Sequence, residues 1–334
     1  MKISMLDHTQ VSEGRTVQDT LAEAVQLAQL GEQLGYHRFW LSEHHASKAL
    51  ASSSPEILIA HVASQTSRIR VGSGGIMLPH YSAYKVAENF RLLEALYPSR
   101  IDAGLGRAPG GVPLATQALQ EHKMMDIRYY PRQVEDLGAY LHDALPEDHR
   151  FRNLQAQPSV DTAPEVWLLG SSDESARIAA DKGAAYAFAQ FFGTPGGEAA
   201  IRYYRENFRP SVMNDHKPHT MIAVSVFCAD TEEEARRLSV SAELFFTQLT
   251  KGAELPFFPS VETAERFPYT PYDEYQIATR RQNTILGTPT QVREQLHAIQ
   301  NRYDADEIMI VGMIHDFEAR KRSFQLTAEA LLAD

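Results

Sequence analysis

Short apolar runs recur along the 334-residue chain with amphipathic stretches between most of them, and this rhythm limits the possible folds more than any other feature. Eight runs stand out: Ile3–Leu6, Arg38–Ser42, Ile69–Leu78, Ile101–Leu105, Val166–Leu169, Ala184–Phe188, Met221–Cys228 and Glu307–Val311. Strands that alternate with helices need crossover connections, and crossovers make neighbouring strands parallel. Right-handed crossovers at this spacing predict one α/β domain over residues 1–334, a (β/α)8 TIM barrel, ahead of an open doubly wound sheet.

Helix signals fall where the rhythm needs them. Thr16–Leu34 carries Val17, Leu21, Ala24, Val25 and Ala28 at helical spacing, with Gly35 placed to stop it. Ser54-Pro55 sets an N-cap before a helix-starting proline. Val86, Phe90, Leu93 and Tyr97 form an apolar stripe ended by Pro98. Asp230 with Glu233, Ser171 with Glu174, and Thr288 with Gln291 have capping-box spacing, and a last helix is predicted over Phe317–Leu332. The segment 251–286 breaks the alternation, with Pro256, Pro259, Pro268 and Pro271 set among Phe257, Phe258, Phe267, Tyr269, Tyr272 and Tyr275. It reads as a long insertion before the last helix–strand unit, either a mobile lid or a piece packed on the barrel wall. Its aromatic content argues against disorder.

Composition narrows the function classes. No run of about 18 apolar residues exists to span a bilayer. The opening MKISMLDHTQ lacks the apolar core and cleavage site of a secretory leader, and the single cysteine, Cys228, leaves no internal disulfide. A cytoplasmic location is therefore expected. The net charge of −11 argues against nucleic-acid binding.

Candidate chemistry sits at strand ends. The second apolar run closes on Glu43-His44-His45. Adjacent strand residues face opposite ways, so the two histidines cannot share a metal while the strand continues, and no zinc-ligand spacing lies nearby. A neutral histidine is a natural acid or base, although two hydrogen-bonded spacers would look the same in sequence. The fourth run continues into Gly104-Leu105-Gly106-Arg107-Ala108-Pro109-Gly110. Its GxGxxxG spacing misses the dinucleotide fingerprint, while Arg107 suits a phosphate clamp or a surface ion pair. Hydroxyls in Gly170-Ser171-Ser172-Asp173-Glu174-Ser175 suit either a phosphate at a helix start or a plain cap. Gly72, Gly74 and Gly75 inside the third run weaken a strand unless something approaches the backbone closely, and a flat ring is one such object.

Taken together these segments resemble the bacterial luciferase-like flavin monooxygenases, in their single-chain, alkanal-monooxygenase-like branch. The resemblance runs through FWLSEHH, RVGSGGIMLPHYSAYKVAENFRLLEALYPSRIDAGLGRAPG, LLGSS and GTPTQVREQL, in that order. It implies a (β/α) barrel that uses reduced FMN and dioxygen, through a peroxyflavin, to oxygenate a small apolar organic substrate. It further implies that His44 lies beside the flavin and is catalytic, with Glu43 and His45 supporting it. Ser73, Gly74 and Gly75 would back the ring, through a non-proline cis peptide, while Arg107, Ser172 and Ser175 would hold the FMN phosphate. The 251–286 segment matches the family's mobile loop. Gly106 stands where light-emitting catalytic subunits carry a reactive cysteine. A separate NAD(P)H-dependent flavin reductase and a homodimer are expected by the same resemblance. A deazaflavin-dependent oxidoreductase on this barrel and a flavin-binding protein without activity remain the alternatives.

Overall fold

Among the described residues ten strands, all paired in parallel, build the centre of the molecule: β1 (Lys2–Asp7), β2 (Arg38–Leu41), β3 (Arg70–Ser73), β4 (Ile76–Met77), β5 (Ile101–Gly106), β6 (Glu165–Gly170), β7 (Ala185–Ala189), β8 (Thr220–Cys228), β9 (Ile285–Gly287) and β10 (Glu307–Val311). The structure, a computed structural model, describes residues 1–121, 126–214 and 216–332. The order β10-β1-β2-β3-β5-β6-β7-β8 closes on itself because β10 also pairs with β8. The result is the expected eight-staved barrel, with β4 carrying the β3 stave onward beside β5 and β9 lying against the last residues of β8.

Two details depart from the sequence reading. The run Ile69–Leu78 is split into β3 and β4 at Gly74-Gly75, which give the sheet no side chain on either face. β9 was not anticipated, because three residues without alternation carry no strand signal.

Alternation along the staves separates two apolar layers. Ile3, Met5, Phe39, Leu41, Val71 and Ile308 pack outward against the helices. Leu6, Trp40, Trp167, Met221, Ala223 and Met309 fill the barrel interior. At the N-terminal ends of the strands the interior is closed by a buried charge cluster. Arg38 donates to Asp102 at 2.8 Å and to Glu307 at 3.1 Å, while Arg70 and Trp40 Nε1 donate to Asp102 at 2.6 and 2.9 Å. Burial alone would raise the Asp102 pKa, but Arg38 and Arg70 outweigh it and hold the carboxyl below its ordinary value. That plug leaves the C-terminal end of the barrel to carry a site.

Helix caps follow the sequence with a shift of one residue in two places. Thr16 and Asp19 form a capping box, Gly35 ends that helix at φ 87°, and Thr288 with Gln291 forms the expected box. The long helix Glu232–Thr250, by contrast, is capped by Thr231 rather than Asp230, and the helix Asp173–Lys182 by Ser172 with Ser175 rather than Ser171 with Glu174. Neighbouring residues that can each cap leave the register undetermined in sequence. The 251–286 segment folds into helices Val261–Glu265 and Pro271–Arg281 before β9. It is tied down by Phe258 N–H to Val11 O at 2.7 Å and by Arg281 to Glu243 at 2.6 Å. No helix among the described residues is long and apolar enough to cross a membrane.

Candidate active site

A cavity of about 690 Å³ opens at the C-terminal ends of the strands, within the range of about 300–1,000 Å³ usual for small-molecule sites. Residues that follow β1, β2, β3, β5, β6 and β7 line it together, as the parallel barrel dictates. Trp40, Leu6 and Met221 form its floor, and Phe245, Phe246 and Leu249 from the helix Glu232–Thr250 form one side.

Ser42, Glu43, His44 and His45 all line the cavity with Trp40. The Glu43 carboxylate accepts from His45 Nε2 at 2.6 Å, Tyr81 OH at 2.8 Å and the Met77 N–H at 2.9 Å. The expected support of His44 by Glu43 and His45 is therefore not seen as hydrogen bonds. What Glu43 fixes is β4, hence the glycine segment just before it. His44 is steadied by its backbone N–H to Ser52 O at 2.8 Å and by His8, whose Nδ1 lies 3.3 Å from His44 Nε2.

His8 was not picked out from the sequence. It follows β1 as His44 follows β2, and the run of an apolar strand into Asp7-His8 carried the same signal on a shorter stretch. Its Nδ1 also lies 3.1 Å from Ser42 Oγ, and the Phe191 ring meets it edge-on. Both histidines are held neutral. Burial pushes His8 down to about 4, aided by the positive Arg320. Burial pushes His44 down to about 3, with the His8 and His45 rings adding to it.

Gly74 and Gly75 line the cavity through a cis peptide bond. A Cβ on Gly75 would stand 2.8 Å from the backbone Gly104 O, so that position admits no side chain, while one on Gly74 would stand 2.6 Å from Leu6 Cδ1 and force that side chain to move. Ser73 stands apart from this wall. It is buried, its hydroxyl donates to Gly104 O at 2.8 Å, and it does not line the cavity. Strand parity turns it away.

Arg107 after β5 and Ser171, Ser172 and Ser175 of the β6–helix segment line the same cavity. Arg107 is ion-paired to Glu174 at 2.5 Å. Ser172 Oγ accepts the Ser175 N–H at 3.4 Å, and Ser175 Oγ lies 2.9 Å from Tyr186 OH. The 251–286 segment reaches the cavity only through Gly252–Leu255. Its aromatic residues lie elsewhere: Phe258 packs on Phe245, and Tyr272 and Tyr275 are 65% and 66% exposed.

The luciferase-like monooxygenase family model matches residues 1–305. The Bacillus subtilis (strain 168) protein YwcH is 52% identical over 99% of both chains. The N-acetyl-S-alkylcysteine monooxygenase of the same organism is 38% identical, over 100% of this chain and 99% of its own. A 22% identical relative from Acinetobacter baylyi, covering 97% of this chain and 93% of its own, is the oxygenase component of a flavin-dependent trigonelline monooxygenase. Among solved structures, apo-MsnO8 superposes with a TM-score of 0.89 at 38% identity, over 100% and 99% of the two chains. The oxygenating constituent of the Pseudomonas putida 3,6-diketocamphane monooxygenase, solved with FMN, shares the fold at 18% identity, with a TM-score of 0.70 over 99% and 97%. With a family match across most of its length and relatives aligned end to end, the chain belongs to the luciferase-like monooxygenase family.

Proposed function

We propose that this protein is an FMN-dependent monooxygenase that takes up reduced FMN and oxygenates a small, apolar organic molecule. The observation that carries the reading is one cavity with a glycine wall, a neutral histidine pair and Arg107 at its edge. A flat ring fits against Gly74 and Gly75, and a phosphate fits Arg107 beside the start of the helix Asp173–Lys182. His8 Nε2, buried and without a hydrogen-bond partner among the described residues, is a polar atom placed to meet the substrate rather than the flavin. The residues fit the cofactor.

Bound reduced FMN would supply two electrons to dioxygen, so that one oxygen atom enters the substrate and the other leaves as water. The chain's own part is to bind, shield and handle protons. Arg107 would hold the phosphate, with Ser172 and Ser175 shaping the rim. Gly74 and Gly75 would give the ring a close backbone surface. His44 would stand beside the reacting atoms as a neutral hydrogen-bonding group. Phe191, Phe245, Phe246 and Leu249 would exclude water and favour an apolar substrate. The turn Gly252–Leu255 would act as the lid edge, with the rest of 251–286 as its support.

Reduced flavin would come from a separate NAD(P)H-dependent reductase, since the chain has no dinucleotide fingerprint and a relative is named as an oxygenase component. A homodimer is supported by Ile57, Leu92 and Leu96, which stay 70%, 54% and 56% exposed on the adjacent helices Pro55–Ser64 and Ala83–Leu96.

The test is turnover of photoreduced FMN under isotopically labelled dioxygen, against aldehydes, sulfonates, aromatic compounds and thioethers. One labelled oxygen in a product is the expected result. Flavin reoxidation that yields only hydrogen peroxide across the whole panel would contradict the proposal, as would oxygen-independent turnover with a reduced deazaflavin.

A further inference from the structure

We propose that His8 and His44 act as one proton-carrying pair, which makes His8 a second catalytic residue facing the cavity. The inference rests on the reading of this cavity as the oxygenation site, but its first test does not need the flavin.

The two residues are 36 apart in sequence. The barrel brings them together because β1 and β2 pair in a register that sets Asp7 beside Leu41. Their facing nitrogens, His8 Nδ1 and His44 Nε2, are 3.3 Å apart, and the ring centroids are 5.5 Å apart. A neutral imidazole has one N–H and one bare nitrogen. Two N–H groups at this separation would clash, and two bare nitrogens would repel. A single proton between the rings satisfies both facing nitrogens, and the proposed pair has this arrangement.

The single shared proton links the two tautomers. If His44 Nε2 carries it, His8 Nδ1 is bare and the other His8 proton sits on Nε2. If His8 Nδ1 carries it, His44 Nε2 is bare and the other His44 proton sits on Nδ1. The rings therefore always share the same tautomer. A proton taken from a cavity group at His8 Nε2 sends the Nδ1 proton across to His44 Nε2, and His44 passes its Nδ1 proton to a basic substrate atom or water in the cavity it lines. One proton enters and one leaves, and no net charge remains. The reverse transfer resets the pair.

The surroundings favour this neutral exchange. His8 is 8% exposed, its Nε2 has no hydrogen-bond partner among the described residues, and it lines the cavity. A buried nitrogen left without a partner costs free energy that a ligand group recovers. Arg320, paired with Asp7 at 2.8 Å, lies close enough to oppose a positive charge on His8. His45, which also lines the cavity, is engaged by Glu43 at 2.6 Å. Ser42 Oγ, 3.1 Å from His8 Nδ1, competes with His44 for the single hydrogen-bonding position of that nitrogen.

The first experiment is ring-nitrogen NMR of the flavin-free protein with labelled histidine, near neutral pH. His8 and His44 should both be neutral and in the same tautomer; opposite tautomers, or a charged ring, would overturn the pair. The second uses His8→Asn, whose amide can still bond to His44 but cannot pass a proton. Its product yield per reduced FMN should fall by about a hundredfold, with FMN affinity held within about twofold. Turnover of His8→Gly should be restored by imidazole and not by thiophene, which fills the space without a transferable proton. Wild-type turnover in His8→Asn, or rescue by thiophene, would reduce His8 to a packing role. Absence of FMN binding in the parent protein would sink the cofactor reading and leave the tautomer result standing.

Discussion

Arg107 and Glu174 form an ion pair, 2.5 Å between Nη1 and Oε2, on the rim where the proposed phosphate would bind. Both side chains are partly open to solvent, at 30% and 65%, and exposed pairs of this kind contribute only about 0–1 kcal/mol. A phosphate dianion competes well against such a partner, yet Glu174 must be displaced or tolerated. Glu174→Gln should therefore tighten FMN binding by about three- to tenfold and leave riboflavin binding unchanged. Fluorescence titration of both flavins reads this directly. An unchanged FMN affinity would mean that Glu174 does not oppose the phosphate.

His44→Ala should retain FMN binding and lower kcat/KM by about a hundredfold. Burial and the neighbouring rings hold His44 down to about 3, so it does not change charge between about pH 5 and 8. The loss should accordingly be the same across that range. A pH–rate inflection near the ordinary histidine value that disappears in the variant would contradict this.

The same depressed pKa values set a stability profile. His8 and His37 are lowered to about 4 and His44 to about 3, in each case chiefly by burial, from an ordinary 6.5. The unfolded chain takes up protons below 6.5 that the folded chain refuses. Their contribution is therefore complete above 6.5 and is lost as pH falls toward 4. Urea-unfolding free energy should fall over that window, and His8→Asn should make the fall shallower. A slope unchanged in the variant would show that His8 titrates normally in the folded state.

Ile57, Leu92 and Leu96 lie on neighbouring helices and remain more than half exposed. In the proposed dimer they are covered. Leu92→Glu with Leu96→Glu should halve the mass seen by sedimentation equilibrium and leave the fold intact by circular dichroism. A parent protein that sediments as a monomer would remove the dimer from the account.

Barrel topology was legible because each stave carries its own hydrophobic pattern, as in Ile3–Leu6 and Glu307–Val311, and parallel strands need long crossovers. Glu43-His44-His45 and Arg107 were legible because polar residues at strand ends violate that pattern. The His8–His44 contact was not, since it depends on β1 and β2 lying side by side, which no local pattern states. The role of Glu43 at Met77 N–H and the Arg107–Glu174 pair were hidden for the same reason. Ser73 looked like part of the glycine wall because it adjoins Gly74. Its orientation follows from strand parity, which turns its hydroxyl to Gly104 O. The 251–286 segment reads in sequence as either a mobile lid or a piece packed on the barrel wall; Phe258 is drawn into a core with Phe245, and the apolar cavity wall comes from Phe191, Phe245 and Phe246.

The central claim is that this cavity holds a phosphorylated flavin through Arg107, and flavin titration of the parent protein and Arg107→Ala tests it most directly. The parent should bind FMN at least about tenfold more tightly than riboflavin, and the variant should bind the two alike, because a charge-assisted phosphate contact is lost. Equal affinities for FMN and riboflavin in the parent protein would contradict the account.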